Sequence, residues 1–340
     1  MATIIDRRMF AKGFAATAVA TGAIALAGCS GEEAPAGSGA ASGTSYKIGV
    51  LQLTEHSALD AANAGFVKAL DDSGITYEIE QQNAQNDQSA CQTIAQTLVN
   101  DGCDLILAIA TPAAQAVAGA TSDIPIIGTA ITDFAASDLV ADNDAPGGNL
   151  TGTSDMNPVA DQIDLLQKLV PEAKTVGLLY CTAESNSDIQ IAMAKEELEA
   201  IGLTGVEFTV SSSNEIQSVV ESMVGQVDAI YTPTDNTIAA AMTQVASIAN
   251  EAKVPTICGE VGMVENGGLA SVSINYEELG YRAGEMAVEI LTEGADPAEM
   301  PVETMSAAEC DLVFNQVTAD EIGVDVSALV DEGGEDVSAA

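Results

Sequence analysis

Between residues 47 and 274 the chain alternates short apolar runs with segments whose apolar residues recur at helical spacing. That alternation restricts the possible folds more than any other feature. Strands are expected over residues 47–53, 76–82, 104–110, 124–130, 175–181, 205–210, 228–232, 254–259 and 269–274. Between them Cys91, Ile94, Ala95 and Leu98 stand on one helical face, as do Val159, Ile163, Leu166 and Val170, and again Ile216, Val219, Val220 and Met223. A helix after each apolar strand returns the chain to the same end of the sheet. Successive strands then lie parallel, and right-handed crossovers cover both faces. The fold class is α/β.

The two halves echo each other. Asp104-Leu-Ile precedes Thr111-Pro112, an alanine-rich helix and Ile124-Pro125; Asp228-Ala-Ile precedes Pro233, an alanine-rich helix and Val254-Pro255. The globular stretch of about 285 residues is long for one core and natural for two Rossmann-like lobes with parallel sheets and a hinged cleft. One lobe is expected from residues 45–152 with 276–300, the other from 153–275 with 301–330, the hinge crossovers lying near 149–155, 275 and 300–315. Residues 331–340 read as an acidic tail without a core pattern.

The N-terminus reads as an address. Arg7, Arg8 and Phe10 precede an apolar run at residues 15–27 that closes in Leu26-Ala27-Gly28-Cys29. A basic start, a short apolar stretch and a small-residue cleavage site describe a signal peptide over residues 1–28, too short for a transmembrane helix. The Arg-Arg-x-Phe pair resembles a twin-arginine export signal, and the closing cysteine resembles a bacterial lipobox in which Cys29 is acylated. Two or more acyl chains give stable attachment to the outer face of a cell membrane. Residues 30–44 hold almost nothing to bury and form a flexible tether with a reach of roughly 20 Å.

Charge narrows the partners. Removing residues 1–28 takes Asp6, Arg7, Arg8 and Lys12, leaving 7 basic and 50 acidic side chains against 10 and 51 in the whole chain, and a formal charge of −43 against −41. Such a field repels phosphate backbones, so nucleic acid is excluded as a partner. Beside Cys29 the chain has Cys91, Cys103, Cys181, Cys258 and Cys310, an odd number without Cys-x-x-Cys spacing. They read mostly as small core residues, with a Cys91–Cys103 pair left open. His56 is the sole histidine, so neither zinc nor any other metal is expected, and no cofactor-binding motif appears.

In parallel α/β sheets ligands gather beyond the carboxyl ends of the strands, where helix N-termini present free N–H groups. The residues at those ends are His56, Leu59, Asn83, Gln85, Thr111, Thr129, Thr132, Asp133, Glu184, Ser185, Asn186, Thr234, Asp235, Asn236 and Glu260, with Ser154 and Asp155 at the first crossover. Thr111, Asn186 and Asn236 are equally good helix caps. His56 suits either cleft contact or a helix start; with Ser57 and Asp60 it is too local for a catalytic triad, so no enzyme is expected. Only Arg282 remains as a mature arginine, which leaves no guanidinium fork for a phosphorylated solute. The absence of Trp removes the usual stacking face for a sugar. An α-amino acid fits better, its ammonium group taken by Asp133, Asp235, Glu184 or Glu260 and its carboxylate by helix-start N–H groups. Facing carboxylates from the two lobes, Asp133 and Asp235, are expected to close on that ammonium.

The segments Gly49-Val-Leu-Gln-Leu-Thr-Glu-His-Ser-Ala-Leu-Asp60, Thr93-Ile-Ala-Gln-Thr-Leu-Val99, Ala108-Ile-Ala-Thr-Pro-Ala-Ala-Gln-Ala-Val117, Pro146-Gly-Gly-Asn-Leu-Thr-Gly152 and Pro233-Thr-Asp-Asn-Thr237 occur in order. Together they resemble the ABC-transporter substrate-binding lipoproteins of the tryptophan/tyrosine-binding type. The resemblance implies a type I periplasmic-binding-protein fold closing on a small solute, an aromatic amino acid, which is passed to a membrane permease with a separate ATPase. Ser57 and Phe134 stand where proline is usual in that pattern, and Cys181 where a polar residue is common. Two other classes share the cleft: a sensor lobe that signals to a receptor, separable by its neighbouring genes, and an extracellular enzyme, which would turn its solute over.

Overall fold

The apolar runs in the middle of each sheet are buried parallel strands, while Thr76–Asn83 and Thr204–Val210 form partly exposed edges. The computed structural model describes residues 44–338. The expected signal peptide, Cys29 and the tether up to Gly43 lie outside the described residues. The first lobe follows the path β1 (Ser45–Gln52), α1 (Ser57–Ser73), β2 (Thr76–Asn83), α2 (Gln88–Asn100), β3 (Leu105–Ile109), α3 (Thr111–Ala120), β4 (Ile126–Ile131) and β5 (Leu150–Ser154). The second continues with α4 (Val159–Leu169), β6 (Thr175–Cys181), α5 (Ser185–Ala200), β7 (Thr204–Val210), α6 (Ile216–Met223), β8 (Ala229–Thr232), α7 (Asn236–Ala239), α8 (Met242–Glu251), β9 (Thr256–Cys258), α9 (Val261–Glu265) and β10 (Ala270–Ser273). The chain then returns to the first lobe as α10 (Tyr276–Glu293) and β11 (Glu303–Thr304), and ends in the second as β12 (Asp311–Phe314), α11 (Gln316–Ile322), α12 (Ser327–Asp331) and β13 (Glu335–Asp336).

The sheet orders are β11-β5-β4-β3-β1-β2 and β13-β12-β10-β9-β8-β6-β7. All pairs are parallel except β10 with β12. The first lobe has one apolar core around β1, β3 and β4. The second has two clusters, one containing Leu178, Tyr231 and Leu329, the other Leu179, Ile230 and Val313. Adjacent residues of β6, Leu178 and Leu179, fall in different clusters because successive side chains leave a strand on opposite faces.

All nine expected strands are present. Their ends shift by up to two residues, as for residues 254–259, of which Thr256–Cys258 is strand. Four strands escape the apolar pattern. In β5, Leu-Thr-Gly-Thr-Ser, every position is buried although four are not apolar. The hydroxyls find partners: Thr151 Oγ1 donates to the Met300 carbonyl, Thr153 Oγ1 to Thr129 Oγ1, and Ser154 Oγ to the Thr132 carbonyl. A Cβ on Gly152 would lie 1.9 Å from the Gly128 carbonyl oxygen, so β4 and β5 approach at a point only glycine fits.

The late strands correct the expected boundaries. β5 continues to Ser154 and β11 pairs with it at Glu303 and Thr304, so the first lobe runs beyond 152 and beyond 300. The last crossover is confined between β11 and β12. Residues after 330 are not a bare tail: β13 pairs with β12, and Val337 packs into the second lobe's core. Cys91, Cys103, Cys181, Cys258 and Cys310 are all free thiols, so the Cys91–Cys103 pair does not form.

One helix pair sets the geometry of the cleft. α1 and α10 pack nearly backbone to backbone, since a Cβ on Gly280 would lie 1.9 Å from the Ala62 carbonyl oxygen. That contact ties the head of α10, which follows a hinge crossover, to the helix that starts at the cleft. Tyr276 is thereby brought beside His56 and Leu59, with which it lines one cavity. Among the described residues no helix is long and apolar enough to cross a membrane.

Candidate functional site

The carboxyl ends of the two sheets face each other, and side chains bridge them directly. His56 Nε2 lies 3.1 Å from Asn236 Oδ1, Asn86 Nδ2 donates to Thr237 Oγ1 at 2.9 Å, and Gln88 Nε2 donates to the Ala183 carbonyl at 2.8 Å. Gln190 Nε2 donates both to Thr132 Oγ1 of the opposite lobe and to Thr234 Oγ1 of its own. The lobes are therefore shut. Between them lies a cavity of about 10 Å³, roughly one water in size. A solute as large as an amino acid enters only when the lobes part.

Of the residues expected in the cleft, His56, Leu59, Asp155, Thr234, Asp235, Asn236 and Glu260 line this cavity, joined by Ala239 and Tyr276. Glu184 lines a second cavity of about 140 Å³ with Leu53, Asn86, Pro112, Cys181 and Ser212. Ser185 accepts from Gln115 across the cleft. Asn186 donates to the Thr234 carbonyl. Thr111 is buried at the head of α3, its Oγ1 without a protein partner among the described residues, and follows Ala110 at a φ of 83°. Thr129 is spent inside the sheet on Thr153, and Ser154 on Thr132.

The acids separate by how many donors each already holds. Glu184 is saturated: Oε1 accepts from Thr237 N and Oγ1 at 2.8 and 2.7 Å, and Oε2 from Asn236 N and Nδ2 at 3.1 and 2.6 Å. Although Glu184 begins α5, its side chain caps α7. Asp235 is saturated as well. Its Oδ1 caps α7 through Ile238 N, and its Oδ2 accepts from Cys181 N and Ser187 Oγ, each at 2.7 Å. Burial and the nearby Glu184 hold the Asp235 carboxyl well above its usual range. Asp133 turns away altogether. Phe134 is fully buried, which swings Asp133 into its own loop, where Oδ1 accepts from Ala136 N and Asn143 Nδ2. The expected pairing of Asp133 with Asp235 around an ammonium group is thus corrected: Asp133 is held in its own loop, and Asp235, though on the cavity wall, is taken by donors of its own lobe.

Two acids keep spare capacity, since an ionised carboxylate offers about four acceptor sites. Asp155 accepts from Thr132 Oγ1 at 3.2 Å and from Tyr276 OH at 2.9 Å, and burial pushes it up to about 6. Glu260 accepts from Gly262 N at the head of its own helix, no side-chain donor among the described residues reaches it, and burial pushes it up to about 8. Burial also lowers the basicity of His56. Among the described residues no Lys or Arg lines the cavity. Arg282 is engaged on α10 and beyond by Glu278 and Glu309. Among the described residues no group of three or more His, Cys, Asp or Glu is arranged to hold a metal.

Sequence reasoning missed Tyr276, Gln190 and Asn157. Asn157 Nδ2 donates to the Asp155 carbonyl while its Oδ1 accepts from Ile274 N, tying two hinge crossovers together. Asn157 lies in a crossover and Gln190 in the middle of a helix. The proximity of Tyr276 to Asn275 at a predicted strand end was the one available signal.

Comparison with known proteins gives a consistent result. The sequence profile described as ABC transporter substrate binding protein matches residues 47–335. The chain is 44% identical over 275 residues to the tyrosine-binding protein of Clostridioides difficile (strain R20291), covering 80% of this chain and 79% of that one. The crystal structure of an ABC domain from Streptococcus pneumonia in complex with L-Trp superposes with a TM-score of 0.82 at 42% identity, covering 85% of this chain and 98% of that chain. A ligand-free, open substrate binding protein with adhesive properties from Clostridium difficile reaches a TM-score of 0.63 at 45% identity, covering 82% and 95%. At similar identity the better fit is to the complex, in keeping with the shut lobes described above. The fold is that of a type I periplasmic binding protein, and the chain belongs to the ABC transporter substrate-binding protein family.

Proposed function

We propose that the chain is the lipid-anchored extracytoplasmic receptor of an importer, capturing an aromatic amino acid between its lobes and delivering it to a permease driven by a separate ATPase. The observation that carries this reading is the acid-lined interlobe cavity: Asp155 and Glu260 are short of donors and no Lys or Arg is present, which suits the ammonium end of a zwitterion. The similarity to a tyrosine-binding protein and to a tryptophan complex supports an aromatic side chain. Calorimetric titration with L-tryptophan, L-tyrosine and L-phenylalanine tests it. Saturable heat is expected from at least one of them, and none from glucose; silence with all three amino acids sinks the reading.

Anchoring rests on Leu26-Ala27-Gly28-Cys29 closing the apolar run. Cys29→Ala is expected to give either an unacylated precursor or protein lost from the membrane fraction, followed by fractionation and blotting. Membrane retention with the signal peptide removed counts against a lipid on Cys29.

A further inference from the structure

A cavity lined by three buried carboxylates, Asp155, Asp235 and Glu260, and among the described residues by no Lys or Arg, is electrostatically incomplete. Asp155, at the first hinge crossover, is 4% exposed and holds two hydroxyl donors; Glu260, at the head of α9, is 2% exposed and is held only by backbone N–H groups of its own helix, Gly262 and Met263. In the same cleft Glu184 holds four donors of its own lobe, from Asn236 and Thr237, and Asp235 three, so the shortage is greatest at Asp155 and Glu260. The other titratable groups on the cavity wall are His56 at the head of α1, Asp235 before α7 and Tyr276 at the head of α10, while Glu265 acts on Glu260 from its own helix. Tyr276 is a neutral donor, and burial disfavours the charged form of His56. Nothing on these walls supplies a positive charge.

We infer that Asp155 and Glu260 together form the seat of the solute's ammonium group, and that Glu260 surrenders its proton to the solvent when the solute binds. This rests on the amino-acid reading above. With Glu260 raised to about 8, its carboxyl is mostly protonated at neutral pH in the empty cavity, whereas Asp155, near 6, is mostly ionised. An ammonium group placed between them favours the charged form of both. The acidic O–H bond of Glu260 breaks, the proton goes to buffer, and the carboxylate left behind accepts from the ammonium.

Close to one proton per solute is therefore released near pH 7, and affinity rises by close to tenfold per pH unit between about pH 6.5 and 7.5. The experiment is calorimetric titration of L-tryptophan and L-tyrosine into the full chain in buffers of differing ionisation heat, with the wild type, Glu260→Gln and Asp155→Asn. Glu260→Gln is expected to bind roughly ten- to a hundredfold more weakly, with an enthalpy independent of buffer and a flattened pH profile. Asp155→Asn weakens binding while keeping proton release. 3-(Indol-3-yl)propionate, which lacks the amine, is expected to bind without proton release. If the wild type binds an aromatic amino acid with a buffer-independent enthalpy, or if Glu260→Gln keeps wild-type affinity and pH slope, the inference is overturned while the aromatic reading stands. If no aromatic amino acid binds the wild type, both fall. Melting curves at about pH 8 separate misfolding from lost binding, because Glu260→Gln is expected to melt no lower than the wild type there.

Discussion

Lowering the pH from about 8 to about 5 is expected to stabilise the solute-free protein by on the order of 4 kcal/mol, through the buried carboxyls of Glu260, Asp155 and Asp235. Both carboxyls titrate higher in the folded chain than in the unfolded one, about 8 and about 6, because burial disfavours their charged forms. Over this window the folded state therefore binds more protons than the unfolded state, and stability must fall as pH rises. The contribution of Glu260 is fully present only below its unfolded value of roughly 4.3 and is gone above about pH 8; that of Asp155 is lost by about pH 6 to 7. Asp235, raised by burial and by Glu184, acts in the same direction, while His56, whose basicity burial lowers, acts against them. The excess of acidic residues also destabilises the chain as pH rises. Urea unfolding of wild type and Glu260→Gln across this range separates the two effects: the variant should show a clearly shallower pH dependence than the wild type. A wild-type profile that rises toward pH 8 would falsify the assignment.

Glu184→Ala is expected to cost about 4 kcal/mol and to weaken closure of the lobes. The Glu184 side chain satisfies the backbone N–H groups of Asn236 and Thr237 and the side chains of the same two residues. The side chains can turn to other partners, but the two buried N–H groups cannot, and each stranded donor costs about 1–3 kcal/mol. Asn236 and Thr237 are also the residues that His56 and Asn86 meet across the cleft, so the same change loosens both bridges. Chemical denaturation reads the first consequence, and small-angle scattering with and without L-tyrosine the second. A destabilisation below about 1 kcal/mol, or compaction on solute addition equal to the wild type, rules out this role.

The central strands came readily from the sequence because burial on both sheet faces demands apolar residues at every position, as in β3, where Leu105–Ile109 is buried throughout. β5 did not, since hydroxyls fill its buried positions and take partners from β4 and from Met300, residues the local pattern cannot show. β11 and β13 are two residues each, too short to carry a period. The cleft was legible as a set of strand ends, and Glu184, Asp235, Asn236 and Glu260 were in that set. Which of its acids face a solute was not. Asp133 and Glu260 both follow strands and look alike in sequence, yet the burial of Phe134 turns one into a loop while the other is left in a cavity.

By itself the sequence determined the α/β class, the two-lobed plan and the chemical character of the cleft, because strand and helix periodicity and the scarcity of basic residues belong to the chain whatever its tertiary arrangement. The tertiary structure alone decided the working state of each acid. Glu184 meets its donors 52 residues away because β6 and β8 pair in the second sheet, and Asp155 meets Tyr276 121 residues away because α10 returns to pack against α1. A carboxylate's acidity and its freedom to hold a ligand depend on how many donors and how much water surround it, and those are set by distant segments that only the folded chain brings together.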